Sequence, residues 1–153
     1  METSNQRDLL LEWYRRVVLS SQSHYNNAQR LERLHLGMGV PVVILSAVAG
    51  TLTFASLEST SSLLRVLIGL INMLAVVLAS LQTFLGISQG VQEHASFGAR
   101  YGKLRREIET LLAQIPLPDE VYKKTIQDLG SQLDMLSEQA PPIPSRVWIA
   151  TER

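Results

Sequence analysis

The chain has no cysteine and no excess of either charge, and both absences narrow its function. Without cysteine, its 153 residues can form no disulfide, no thiol nucleophile and no thiolate zinc site. The 14 basic and 14 acidic side chains cancel, so direct nucleic-acid binding is not expected. Gly-rich phosphate loops, HExxH motifs and hydrolase-type Ser, His and Asp patterns are also absent. We therefore predict no enzyme, no cofactor and no metal.

Two long uncharged stretches occupy the middle of the chain. The first runs from Leu34 to Leu57 and the second from Val66 to Gln92. A bilayer core about 30 Å thick is crossed by roughly 20 apolar residues of helix, so either stretch is long enough to span it. The loop predicted between them, residues 58–65, is too short for a domain. Residues 34–92 should therefore cross the membrane and return.

Basic residues near the ends of the spans predict the orientation. Arg15, Arg16, Arg30 and Arg33 precede the first span, Arg100, Lys103, Arg105 and Arg106 follow the second, and the loop has only Arg65. Because Lys and Arg favour the cytoplasmic side, both termini should be cytoplasmic, with the protein in the inner (plasma) membrane. The cluster after the second span has an alternative role, contact with anionic lipid headgroups.

Outside the spans, apolar residues recur in alternating steps of four and three, which is typical of helices packed on helices. These seams are Leu10, Tyr14, Val17, Ser21, His24, Ala28, Leu31 and His35; Phe97, Tyr101, Leu104, Ile108, Leu111 and Ile115; and Tyr122, Ile126, Leu129, Leu133, Leu136 and Ala140. We predict a cytosolic amphipathic helix over 1–33, a cytosolic helical hairpin over 93–140 and an extended tail over 141–153. The fold class is all-α, with two transmembrane helices extended by cytosolic helices into a helical bundle.

The second span carries small and amide side chains on a single helical face. This stripe, in steps of three and four, is Asn72, Ala75, Ala79, Gln82, Gly86, Gln89 and Glu93. Such residues hold transmembrane helices together by close approach and hydrogen bonds. They can equally line a polar path across the membrane. Two spans cannot enclose a pore, so the second interpretation requires an oligomer, and we expect a homo-oligomer.

Two smaller features complete the set of candidate residues. Gly37 and Pro41 predict a kink in the first span, because Pro41 lacks the N–H that would bond to the carbonyl of Gly37. His24, His35 and His94 could meet near the cytoplasmic membrane face. No HxxxH spacing relates them, so packing or hydrogen bonding is predicted for them rather than metal binding.

Several runs of residues resemble the SLATT family of small, mostly prokaryotic membrane proteins. They are HYNNA (His24–Ala28), LGMGVPVVILSAVAGT (Leu36–Thr51) and FAS (Phe54–Ser56), followed after the second span by Ala95, Ala99, Tyr101, Leu104 and the charged run 105–109. The resemblance covers roughly residues 10–115. It contains no catalytic signature and carries over no catalytic residue.

The resemblance implies a role in antiviral defence. SLATT proteins are predicted effectors of prokaryotic anti-phage systems that form oligomeric pores or otherwise permeabilise the inner membrane when triggered, which causes abortive infection. They are often encoded beside nucleotide-signal sensors, nucleotide synthases or reverse transcriptases, so a protein of one of these kinds is the implied partner besides the lipid bilayer. The alternative is a membrane-anchored scaffold that recruits a partner through its cytosolic helices.

Overall fold

A computed structural model describes residues 2–55 and 61–152, and every regular element in these two ranges is an α-helix. The helices are α1 (Glu2–Ala55), α2 (Ser62–Phe84), α3 (Ile87–Gln114), α4 (Asp119–Gln139) and α5 (Ser145–Glu152). The all-α prediction is thus confirmed for the described part of the chain, which contains no strand. Residues 58–60 of the predicted loop lie outside it.

The predicted loop was too long at its end. Ser61 is extended, with φ −71° and ψ 111°, and α2 begins at the next residue, so Ser62–Arg65 is helical. The residue before the first turn of a helix, the N-cap, usually has such an extended conformation. The charge of Arg65 marks the edge of the apolar run, but it does not mark the start of the helix.

The chain divides into two compact units. One, which we call the bundle unit, comprises the residues up to Gln29 and those from Val91 onward. The other, the hairpin unit, is Arg30–Gly90. The long helix α1 contributes to both units, its first part to the bundle unit and its second to the hairpin unit.

The three predicted seams supply the core of the bundle unit. Its buried cluster is Leu10, Val17, Tyr101, Leu104, Ile108, Leu129 and Leu133. Every one of these residues belongs to a seam, so α1, α3 and α4 each turn their apolar stripe to a common centre. Burying a large apolar side chain contributes about 1.5–3 kcal/mol, which makes this cluster the main stabilising feature of the unit.

The C-terminal segment corrects the prediction of an extended tail over 141–153. Residues 141–144 are not helical, but α5 follows them. Val147 is buried, and Asn26 Nδ2 donates a hydrogen bond to Thr151 Oγ1 at 2.9 Å. A helix of 8 residues is too short to be stable by itself, so these tertiary contacts stabilise it. The local sequence pattern of the proline-rich tail does not predict these tertiary contacts.

Alanines make up half of the residues that the hairpin unit buries, within the described part of the chain. The buried residues of this unit are Ala49, Ile68, Ala75 and Ile87. Alanine allows helix backbones to approach closely, as is common between membrane helices. The first span continues through Pro41 without interruption, because α1 is helical on both sides of it. The kink expected at Gly37 and Pro41 stays a prediction.

The second span is not one continuous helix, contrary to prediction. It is interrupted at Leu85 and Gly86, where Gly86 has a φ of +56°. The N–H of Leu85 bonds to the carbonyl of Leu81, the N–H of Gly86 bonds to that of Thr83, and α3 then begins. A left-handed residue is readily tolerated only at glycine. The stripe therefore divides between α2 and α3.

Two helical stretches of the described chain are long and apolar enough to cross a membrane, Gln6–Phe54 and Ser62–Gln114. In their most apolar 18-residue windows, only 6% and 11% of the residues are buried. A core helix of a water-soluble protein would be mostly buried. Here side chains such as Val43, Phe54, Leu63 and Met73 are more than half exposed.

We expect Ile108→Ala to lower the free energy of unfolding of the bundle unit by about 2–5 kcal/mol, because it leaves a cavity in a close-packed core. Met135→Ala is the control, since Met135 lies in the same unit and is 60% exposed. Guanidinium unfolding in neutral detergent, followed by tryptophan fluorescence, measures both, because Trp13 and Trp148 are the chain's two tryptophans and both lie in this unit. Equal destabilisation by the two substitutions would contradict the described core.

Candidate functional site

The most specific polar contact of the hairpin unit joins its two long helices. Gln82 Nε2 on α2 donates to His35 Nδ1 at 2.8 Å and lies 3.1 Å from the backbone oxygen of the same residue on α1. An amide nitrogen can only donate, so His35 Nδ1 accepts and its proton is on Nε2 when the ring is neutral. This contact satisfies the amide donors of a residue that is costly to place in an apolar environment.

Glycine at position 39 allows this contact. A Cβ at Gly39 would lie 3.2 Å from Gln82 Nε2, closer than ordinary van der Waals contact. An alanine at this position would therefore require the Gln82 amide to shift by a few tenths of an ångström. The sequence singled out Gln82 and His35 separately, but their pairing depends on the register between α1 and α2, which no local pattern reveals.

The seven stripe residues do not share one environment. Ala75 is buried and Ala79 and Gln82 are half-buried, whereas Asn72 is exposed. Gly86 forms the break between the helices, and Gln89 and Glu93 follow it with exposed side chains that do take part in interactions. The middle of the stripe fits the packing interpretation. The exposed side chain of Asn72 fits contact with something outside the hairpin unit.

The four basic residues beyond the second span are mostly engaged along α3. Lys103 and Arg105 lie 3.7 Å and 3.5 Å from the carboxylates of Glu107 and Glu109, one helical turn further on. Arg100 lies over the ring of Phe97, 5.0 Å from its centroid, and Arg106 is exposed. Surface ion pairs of this kind contribute little stability, typically about 0–1 kcal/mol. These ion pairs are compatible with both predicted roles of the cluster, the orientation signal and contact with anionic lipid headgroups.

A second polar cluster, the histidine pair, is buried in the bundle unit. His24 Nδ1 and His94 Nδ1 are 2.9 Å apart, and Asn27 Nδ2 lies 2.8 Å from His94 Nε2. The exposed fractions of these three side chains are 2%, 6% and 4%. The ring of His24 also stacks on Tyr101 and Phe97, with centroids 5.6 Å and 5.8 Å away.

The hydrogen bonds of the histidine pair fix its tautomers. Because Asn27 Nδ2 donates, His94 Nε2 accepts, and the proton of a neutral His94 is on Nδ1. That N–H then donates to His24 Nδ1, which leaves the proton of His24 on Nε2. Burial and, to a smaller extent, the charge of the adjacent His94 together lower the pKa of His24 to about 4. Burial also lowers the pKa of His94, against the opposing effect of the Glu93 carboxylate. Both rings are therefore neutral at pH 7.

The three histidines do not gather at one place. His24 and His94 meet within the bundle unit, while His35 bonds to Gln82 in the hairpin unit. Among residues 2–55 and 61–152, no three His, Cys, Asp or Glu side chains are grouped so that they could hold a metal ion. The histidines were candidate residues from the sequence, whereas Asn27 appeared there only within the HYNNA run, three residues after His24.

No protein-family model, curated protein or solved structure matches this chain significantly.

The histidine pair makes stability depend on pH. Since the pKa of His24 is about 4 in the folded chain and about 6.5 in an unfolded one, the unfolded chain binds more protons between these values. The stabilisation is complete above pH 6.5 and is lost as the pH falls towards 4. We expect the melting temperature of the bundle unit to decrease from pH 7.5 to 5.0, and to decrease less in His24→Phe, which keeps an aromatic ring at this position. An equal decrease in both proteins would contradict the assignment.

Proposed function

We propose that this chain is a membrane effector of a prokaryotic anti-phage system, which permeabilises the inner membrane as a homo-oligomer when it is triggered. The observation that supports it is the nearly unburied apolar surface of the two span-length helical stretches. Only 6% and 11% of their most apolar windows are covered by the chain itself. Water is a poor solvent for such surface, whereas lipid tails and neighbouring helices are good ones.

An oligomer accounts for the polar residues of the second span. The Gln82 amide is satisfied within the hairpin unit by His35, but Asn72 has an exposed amide in an apolar helix. Polar groups in a bilayer pair with other helices or face water. A ring of subunits would offer Asn72 both options, and an apolar groove on α1, lined by Leu36, Val40 and Val43 among others, offers a neighbouring helix a place to pack.

The resemblance to SLATT proteins supports the biological setting. Under this proposal the cytosolic bundle unit receives the trigger, and a nucleotide-signal sensor, a nucleotide synthase or a reverse transcriptase supplies it. Both termini are cytoplasmic in this arrangement, as the distribution of basic residues indicates.

We expect induction of the parent chain in bacteria to depolarise the membrane, and Gln82→Leu to abolish the depolarisation with the oligomer intact. The substitution keeps the side-chain size but removes the amide donors. Gln92→Leu is the matched control, because Gln92 is exposed and lies outside the stripe, and it should depolarise like the parent. A potential-sensitive dye measures all three. Depolarisation by Gln82→Leu equal to that of the parent would show that Gln82 has no part in a pore.

The alternative proposal is a membrane-anchored scaffold. It is favoured by apolar side chains on the surface of the bundle unit, among them Val121, Met135 and Ile149, which are about half exposed or more. These residues of the cytosolic helical hairpin and the C-terminal segment around Trp148 would be the surface that recruits a partner.

A truncation after Gln139 distinguishes the two proposals, because it removes α5 and keeps both span-length helices. The scaffold predicts loss of partner recruitment, measured by co-purification, with unchanged membrane permeability. The effector predicts that permeability changes along with recruitment. Unfolding followed by Trp13 fluorescence checks that the remaining bundle is still folded.

A further inference from the structure

The bundle unit contains a cleft beneath its C-terminal segment, which we call the C-terminal cleft. Its volume is about 510 Å³. Its lining includes Arg16, Ser20 and His24 from α1, Tyr101 from α3, and Ile143 and Trp148 from the C-terminal segment. Small-molecule sites in proteins are typically about 300–1,000 Å³, so the cleft has the size of a ligand site.

The cleft carries an uncompensated positive charge. Arg16 is its one charged lining residue, and no acidic side chain lines it among the residues that the structure describes. Within those residues Arg16 also makes no ion pair, unlike Lys103 and Arg105 on α3. A guanidinium with five donors and no carboxylate beside it favours an anion from outside the chain.

Two buried side chains add hydrogen-bond donors to this cleft. His24 and Tyr101 are 2% and 4% exposed, and within the described residues neither His24 Nε2 nor the Tyr101 hydroxyl has a hydrogen-bond partner. The bond from His94 leaves His24 with its proton on Nε2, so this atom is a donor. Neither atom is among the fully buried unpartnered polar atoms of the described residues, so both are open to the cleft, where an acceptor of a ligand could bind them.

The rest of the lining is mostly apolar. Ile143, Ile149 and Pro141 contribute aliphatic surface, and the Trp148 ring is about one-third exposed at the cleft. An ion as small as inorganic phosphate would leave this surface wet. A ligand with an apolar ring or short chain would cover it.

We propose that the C-terminal cleft binds a small organic anion, a phosphate or carboxylate carried on an apolar ring or short chain. Arg16, His24 Nε2 and the Tyr101 hydroxyl donate hydrogen bonds to the anionic group, and Trp148 and Ile143 contact the apolar part. The site does not depend on whether the spans conduct ions, because all of its residues belong to the bundle unit.

Calorimetric titration of the intact protein in neutral detergent with phenyl phosphate tests the proposal. We expect saturable binding, at least about tenfold tighter than that of inorganic phosphate or benzyl alcohol, because only phenyl phosphate engages both parts of the cleft. Absence of saturable binding, or equal affinity for the three compounds, would overturn it.

Two neighbouring arginines provide a matched pair of variants. Arg16→Gln should weaken phenyl phosphate binding about tenfold or more, since it removes a charged donor. Arg15 is exposed, as Arg16 is, but does not line the cleft, so Arg15→Gln removes the same charge and should leave the affinity unchanged. An equal loss in both variants would show non-specific attraction and overturn the site. Tyr101→Phe keeps the ring against His24 and should weaken binding by removal of one hydroxyl.

The same chemistry is found in anionic lipid headgroups, and a second titration separates the two sources. In nanodiscs of phosphatidylcholine alone, phenyl phosphate should bind as in detergent. Phosphatidylglycerol in the disc could lower the affinity for phenyl phosphate in the parent but not in Arg16→Gln. In that case the anion that the cleft binds is a lipid headgroup. Unchanged affinity in the parent identifies a soluble anion. Lowered affinity in both proteins would reflect surface charge alone and contradict a specific site.

Discussion

An α-helical hairpin can bury only one face of each helix, and this geometric limit governs the hairpin unit. Ala49, Ile68 and Ala75 occupy the buried face. The other faces carry leucine, valine, methionine and phenylalanine side chains that the chain cannot cover. Such surface needs lipid or other helices around it, which is why a membrane setting and an oligomer are proposed together. In the bundle unit, by contrast, three helices pack around a common centre and bury their apolar stripes. Val17 and Ile108 are completely buried there.

The sequence predicted helices and buried seams well because helical periodicity directly reports which face is covered. Leu10, Leu104 and Leu129 were assigned to seams and all three are in the core. Prediction from the sequence failed where the structure depends on tertiary contacts or on a single backbone angle. Gly86 was read as one more small residue in the stripe, since glycine is common in membrane helices and its sequence context gives no sign of a positive φ.

The candidate sites show the same limit. Periodicity placed His24 on a seam and Gln82 on a stripe, but it could not give the pairs His24–His94 and Gln82–His35. Each pair joins residues far apart in the chain, so it is determined by the register between two helices. Asn27 contacts the histidine pair, and Ser20 and Trp148 line the C-terminal cleft. None of these three residues belongs to a seam. Their roles follow from the packing of α5 and α3 against α1.

The bond between Gln82 and His35 constrains how the second span could conduct. In the described arrangement the amide donors of Gln82 are directed to α1, so they do not face a central path. A conducting state that uses Gln82 must exchange these bonds for bonds to water or to a neighbouring subunit. A buried hydrogen bond contributes about 0.5–1.5 kcal/mol net, and each subunit of a ring would have to make the exchange. A trigger that binds the open state more tightly than the closed one would offset this cost. These bonds disfavour opening in the absence of a signal, whereas a scaffold has no need of the exchange.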